Sequence, residues 1–256
     1  MTAATRPAGT VTIAGKTVSR LGYGTMRLTG HGTWGDPPDP DRAVHLLRTV
    51  VDEGITHLDT ADAYGPHTVE HLIRRALYPC PSDVLIGTKV GMVRPAPNVW
   101  KPLGRPEFLR AMVEQSLRRL GVECLDLCYL HRVDPTVPFL DQVGTLAELQ
   151  GEGKVAHVGL CKVTPEHIDT ASTVVRVAAV QNKLSMAVSG DTATVEHCRM
   201  RGIPYVPYAP LGAGALVGDV GKALRWLLDL GDHIAPIPGT RSVQHLAQLI
   251  EAARGR

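Results

Sequence analysis

Short apolar runs alternate with amphipathic helical stretches eight times along this chain, and no other feature restricts the fold as strongly. The first run, "LGYGTM", leads through the loop "GHGTWGDPPDPD" to a helical stretch from about Arg42 to Glu53. "ITHLDT" precedes a helix from about Thr68 to Leu77, and "DVLIGTKV" leads through a long loop into "PEFLRAMVEQSLRRLG". "CLDLCYLH" precedes "FLDQVGTLAELQGEG", "VAHVGLCKV" precedes a helix near Pro165 to Ser172, and "VAAVQNKLS" precedes "TATVEHCRMRG". The last two pairs are "IPYVPYAPLG" with "GKALRWLLDLG", and "HIAPIPG" with "SVQHLAQLIEAAR". Such alternation implies parallel strands joined by helical crossovers. Eight units in 256 residues suit a closed α/β (β/α)8 TIM barrel, one domain over residues 1–256. A doubly wound sheet is the runner-up. It would carry a Gly-rich phosphate loop after its first strand, and no GxGxxG stands there. The opening "TVTIAGKTVSR" alternates around Ala14-Gly15-Lys16 and predicts a short N-terminal β-hairpin that caps the barrel bottom.

In a barrel of this kind, functional side chains gather at the C-terminal strand ends. Four polar residues stand where apolar runs stop. Asp59 and Tyr64 follow the second run in "HLDTADAYG", Lys89 closes the third in "LIGTKVG", and His131 closes the fourth in "LCYLHRVDP". A phenol with an ordinary pKa of about 10 gives up its proton reluctantly near neutrality. A neighbouring ammonium favours the phenolate, and a buried lysine needs a carboxylate such as Asp59 to stay charged. A histidine can donate to a substrate oxygen and orient it. The set reads as a general acid aimed at a carbonyl oxygen, with Tyr64 as proton donor. No side chain donates hydride, so a cofactor must supply it. Trp34 and Trp100, in the loops after strands one and three, are candidates to line the substrate mouth. Arg132 has two readings: it binds an anionic substrate group, or it pairs with Asp134.

The formal net charge of +2, with basic residues scattered, argues against a nucleic-acid or membrane-surface partner. No apolar run approaches the ~20 residues that span a bilayer. "MTAATRPAGT" lacks the apolar segment of a signal peptide, so a cytoplasmic protein is the expectation. Five cysteines without a CxxC pair fit reduced thiols. Cys124 and Cys128, four apart in "ECLDLCYL", are expected to share one strand face as small hydrophobes. No metal is expected. "HTVEH" matches a zinc-peptidase pattern, but Val69, Leu72, Ile73, Ala76 and Leu77 form the apolar helix face. That places His67, Glu70 and His71 toward the polar side. Trp226 is expected in the core.

In order and spacing, "HLDTADAYG", "TKVG", "DLCYLHRVDP", "LAELQGEGKVAHVGL", "AAVQNKLS" and "PIPGT" resemble the aldo-keto reductase family. The resemblance runs from about Leu21 to Ala253. "LGYGTMRLTG", "YGPHTVE" and "LHRVDP" resemble its pyridoxal-reductase-like branch. It implies a TIM barrel, a small-molecule carbonyl substrate and NADPH bound without a Rossmann loop. The family's four catalytic residues map onto Asp59, Tyr64, Lys89 and His131. The implied cofactor contacts are Gly24, Thr25 and Met26 at the first strand end, and Gln181 on the nicotinamide amide. Tyr208 would stack on the nicotinamide ring, and Pro210, Leu211 and Gly212 would form the pyrophosphate loop. Gly239, Thr240 and Arg241 would meet the adenosine phosphate, with His245 where the family often has Arg. Cys161-Lys162 replaces the usual Ser-Asn pair, and Gln248-Leu249 replaces the usual Glu-Asn pair near adenine. The stretch between strands seven and eight is shorter than the family's usual one, and no counterpart of the usual C-terminal substrate loop is expected after the last helix, so the resemblance predicts an open mouth. The alternative is a barrel that kept the fold but lost redox turnover, serving as a nucleotide-responsive subunit or a non-redox catalyst.

Overall fold

The structure, a computed structural model, describes residues 6–255. Strands β1 (Thr10–Ile13) and β2 (Lys16–Ser19) pair antiparallel across a two-residue turn. Both turn residues have positive φ, 50° at Ala14 and 74° at Gly15. Paired positive φ values match the right-handed strand twist, which is why two-residue hairpins favour them. Ile13, Ala14 and Val18 pack in one buried cluster with Leu85 and Leu127. Those two residues open strands β5 (Leu85–Val90) and β8 (Leu127–Leu130). The hairpin therefore plugs the N-terminal end of the barrel, as expected.

Six parallel strands form a continuous sheet in the order β10-β9-β8-β5-β4-β3. The remaining members are β3 (Tyr23–Gly24), β4 (His57–Asp59), β9 (Val158–Cys161) and β10 (Val177–Gln181). Two further segments close the ring without becoming regular strands. Val206 N donates to Val180 O at 2.7 Å, and Ala235 N donates to Tyr205 O at 2.9 Å. Gly22 N and Gly24 N then donate to Pro236 O and Pro238 O, each at 2.9 Å. Prolines 204, 207, 236 and 238 explain the irregularity, since each removes a ladder donor. The seam between the last segment and β3 is consequently bonded in one direction.

Tyr129 fills the barrel interior. It pairs in register with Gly159, where an added Cβ would lie 2.4 Å from the Tyr129 ring. Glycine at 159 is thus a space requirement. The helices, α1 (Pro40–Asp52), α2 (Thr68–Leu77), α3 (Pro106–Leu120), α4 (Phe139–Gly151), α5 (Pro165–Ala171), α6 (Thr192–Arg201), α7 (Val220–Leu228) and α8 (Val243–Arg254), follow their strands. A second, larger core cluster joins residues of these helices to the strands. Helix α1 begins two residues before the expected Arg42. Asp39 caps it by accepting from Arg42 N at 2.9 Å, and Pro40 holds the first position. A small antiparallel ribbon, β6 (Met92–Val93) with β7 (Lys101–Pro102), organises the long loop after β5. Between the two closing segments lie short 3-10 turns at Gly212–Gly214 and Val217–Asp219, then α7.

Two expectations are corrected here. Cys124 is exposed and precedes β8, so it shares no strand face with buried Cys128. Glu70 is fully buried instead of lying on the polar side of α2. Trp226 is half-buried and packs against the core. All five cysteines are free. Among the described residues, no His/Cys/Asp/Glu group could hold a metal, and no helix is long and apolar enough to cross a membrane.

Candidate active site

The ends of β4 and β5 build the centre of the site. Asp59 closes β4, and Lys89 lies near the end of β5. Lys89 Nζ lies 2.6 and 2.5 Å from the two Asp59 carboxylate oxygens. It also donates to Thr60 O at 2.7 Å and to the Tyr64 hydroxyl at 3.3 Å. Gln181 Nε2 donates to Asp59 Oδ2 at 2.9 Å. The turn after β4 is bonded to the sheet, with Thr60 N on Gly87 O at 2.8 Å and Asp62 N on Lys89 O at 3.1 Å. The backbone thus delivers Tyr64 onto the ammonium.

Burial sets the electrostatics. It raises the Asp59 carboxyl above its usual range, against the pull of Lys89 and Gln181. It also opposes the charge on Lys89, yet Asp59, then Tyr64 and Cys161, hold that ammonium above its ordinary value. With both carboxylate oxygens on Nζ, the geometry is that of an ion pair. Burial pushes the Tyr64 phenol up to about 12, while Lys89 pulls against that rise. His131 is held well below the ordinary imidazole range by burial, then by Lys89, Arg132 and Arg94, so it is neutral. Its Nδ1 is buried without a partner, which leaves Nε2 to face the cavity. The Tyr64 and His131 rings meet edge-on with centroids 6.1 Å apart. Trp100 closes the triangle at 6.4 Å from Tyr64 and 6.3 Å from His131.

Asp59, Tyr64 and His131 line a cavity of 1370 Å³, and Lys89 supports them from beneath. Trp100 and Arg132 line it too, whereas Trp34 is set back, 5.8 Å from the Arg94 guanidinium. Arg132 does not pair with Asp134. Its Nη1 donates to His131 O at 2.6 Å and to Cys161 Sγ at 3.0 Å. Asp134 instead accepts from Gly104 N and from Thr136. The wall includes Gly24, Met26, Cys161, Lys162, Gln181, Tyr208, Pro210, Leu211, Gly239, Thr240, Arg241, His245 and Gln248. Thr25 and Gly212 are not on it. Thr25 is buried and donates to Asp59 O at 2.9 Å, so it steadies the acid from behind.

Two features escaped the sequence reading. Arg94 donates to the carbonyls of Gly32, Thr33, Ala63 and Val99, and stacks 3.6 Å above the Trp100 ring. It ties three loops together around the mouth. Behind β5, Glu70 accepts from Thr88 Oγ1 at 2.6 Å, Arg119 Nε at 2.5 Å and Ser116 Oγ at 3.2 Å. The "HTVEH" glutamate is therefore part of the sheet–helix layer. A signal existed: Glu70, Ile73 and Leu77 recur at i, i+3 and i+7, the spacing of a buried stripe.

The family described as "Aldo/keto reductase family" matches residues 20–222. The chain belongs to this family. As a member of it, the protein is an oxidoreductase. It is 41% identical to an uncharacterized oxidoreductase of Schizosaccharomyces pombe, over 96% of this chain and 85% of that one. It is 37% identical to pyridoxine 4-dehydrogenase of Escherichia coli, over 96% and 93%. The fold is similar to the solved glycerol dehydrogenase of Gluconobacter oxydans, with TM-score 0.87, 25% identity, and 97% and 90% of the chains covered. Membership agrees with the barrel and with the polar set at its C-terminal face.

Proposed function

We propose that this aldo/keto reductase reduces a small-molecule aldehyde or ketone to an alcohol, with NADPH as cofactor and Tyr64 as proton donor. One observation carries the reading. The Tyr64 hydroxyl stands on an ammonium, Lys89, that is itself matched by a buried carboxylate, Asp59. The arrangement suits delivery of a proton to developing negative charge. With its pKa near 12, the phenol is protonated at neutral pH and so is a donor. An alkoxide is a far stronger base than a phenolate, so transfer from Tyr64 to the nascent alkoxide runs downhill. The resulting phenolate sits beside Lys89, whose charge stabilises it. Neutral His131 lies on the same cavity wall and would orient the carbonyl oxygen by donating from Nε2. Trp100 packs edge-on against both rings.

The cavity wall fits a nicotinamide dinucleotide. Arg27, Arg42, Lys162, Lys183 and Arg241 line it with little opposing acid, as a polyanion requires. The N-terminus of α8, capped by Ser242, opens onto the same wall and offers backbone N–H groups suited to phosphate. Arg241 and His245 would hold the 2′-phosphate, Gln248 would lie at the adenine, and Tyr208 would lie against the nicotinamide. Bound there, NADPH supplies the hydride. The identity to pyridoxine 4-dehydrogenase supports the same class of chemistry. The test is oxidation of NADPH across an aldehyde and ketone panel with the wild type and Tyr64→Phe. Losing a positioned general acid lowers the rate by about 10²–10⁴-fold, while NADPH binding, read by fluorescence quenching, persists. Near wild-type turnover in the variant would refute the role. NADPH binding without turnover on any carbonyl would favour the redox-inactive alternative.

A further inference from the structure

The substrate end of the cavity carries more positive charge than its own residues neutralise. Lys89 is matched by Asp59. Arg94 spends its donors on four backbone carbonyls and meets no carboxylate. Arg132 likewise makes no ion pair among the described residues. Two of its hydrogen bonds leave from Nη1, to His131 O and Cys161 Sγ, and a further side-chain hydrogen bond joins it to Tyr208. The carboxylate nearest in sequence, Asp134, is committed to Gly104 and Thr136.

These anchors are neutral. A backbone carbonyl fixes the guanidinium but brings no formal charge. A thiol sulfur is a weak acceptor. Burial raises the Cys161 pKa, so the thiol stays neutral and Arg132 keeps its full charge. The anchors, the Tyr208 hydroxyl included, carry no formal charge, so none of them balances the guanidinium. A guanidinium carries five N–H donors in a planar fork that matches a carboxylate. Arg132 is half-buried on the cavity wall, and its guanidinium carbon lies 5.8 Å from the Tyr208 ring centroid. It follows His131 directly in the chain, and both residues line the same cavity.

We infer that the carbonyl substrate also bears a carboxylate, and that the Arg132 guanidinium grips it while Tyr64 and His131 hold the carbonyl oxygen. This rests on the reductase reading above and adds the substrate class, an oxo acid. An anion there supplies the counter-charge that the guanidinium otherwise lacks, and an ester or alcohol in its place does not. The discrimination expected from one charge-assisted pair is about 10–10²-fold.

The experiment compares kcat/KM for ω-oxo acids of graded length with that for their methyl esters, at saturating NADPH. The wild type should prefer at least one acid over its ester by about 10-fold or more. In Arg132→Gln that acid-to-ester ratio should fall to near one. Arg132→Lys should keep part of it, because the charge remains while the fork is lost. A wild-type ratio of one or less across the series would overturn the inference while leaving carbonyl reduction intact. So would a ratio that survives in Arg132→Gln. A phosphate-bearing aldehyde preferred over every acid would overturn the carboxylate assignment. If no compound is turned over, the reductase reading fails. The same acid–ester pairs are then titrated calorimetrically into the protein with and without NADP+. An Arg132-dependent preference for the acid would still establish the anion site, and its absence would end the inference.

Discussion

Replacing Lys89 by methionine separates what the buried ion pair does for stability from what it does for chemistry. The substitution keeps the length of the side chain and removes its charge. Asp59 would then be left with both oxygens stripped of the ammonium, 2% exposed, with only Gln181 as side-chain donor. Breaking a buried pair in this way costs about 3–5 kcal/mol, because the surviving charge has no counterpart. Adding Asp59→Asn removes that stranded charge, so the double variant should recover most of the loss. Activity should follow a different course. Without Lys89 the phenol loses the one cation that opposes burial, and its proton becomes harder to give. Reduction should therefore fall in the single variant and remain low in the double variant, by about 10²–10⁴-fold if general acid catalysis is lost. Urea unfolding at pH 7 gives the stabilities, and NADPH oxidation with a reactive aldehyde gives the rates. If the double variant regains near wild-type turnover, the pair is a packing feature and the mechanism is wrong. A loss below ~1 kcal/mol in the single variant would show that Asp59 is already neutral.

Two further outcomes follow from described residues. Arg241→Ala should reduce the preference for NADPH over NADH, because a guanidinium matches a 2′-phosphate; equal affinities in the unmutated protein, measured by fluorescence titration, would remove the assignment. His57 is fully buried with both ring nitrogens unpartnered, and burial, then Lys89, lowers its pKa from 6.5 to about 4. The unfolded chain therefore binds a proton in a pH range where the folded one does not. That contribution to stability is complete above pH 6.5 and is lost as pH falls toward 4. At 1.36 kcal/mol per unit, it amounts to roughly 3 kcal/mol. His57→Phe should flatten the fall in urea midpoint across that window, and an unchanged pH profile would show that other groups cause it.

The barrel was readable because strand–helix alternation survives in every unit, including those whose strands are irregular. Asp59, Tyr64, Lys89 and His131 were readable because each stands where an apolar run ends. The boundaries of the last two strands were not, because prolines at 204, 207, 236 and 238 break the ladder without breaking the apolar pattern. Glu70 was misread because a carboxylate on an apolar stripe is taken for surface unless its partner is known. That partner, Arg119, lies 49 positions away on another helix. Arg94 was missed for a related reason: its acceptors are main-chain carbonyls, which leave no trace in side-chain patterns. The lining of the cavity by Arg132 and Cys161 joins two strand ends, and spacing alone left Arg132 open between Asp134 and a substrate anion.

The one-way seam between residues 234–238 and β3 makes the closed ring behave in part like an open sheet with a latch. Its inter-segment bonds include Gly22 N on Pro236 O and Gly24 N on Pro238 O, and a proline has no N–H to return. Breaking a few such bonds frees an edge that other junctions secure from both sides. Breathing of the barrel should start there, with the Gly22 and Gly24 amides as its reporters in hydrogen exchange. The upper end of the latch adjoins Gly24, Gly239 and Thr240, on the wall proposed for the cofactor. A dinucleotide lying across that end would bridge the two sides. It would slow exchange at Gly24 more than at amides in the middle of β8, so the least secured joint of the scaffold would double as a gauge of cofactor occupancy.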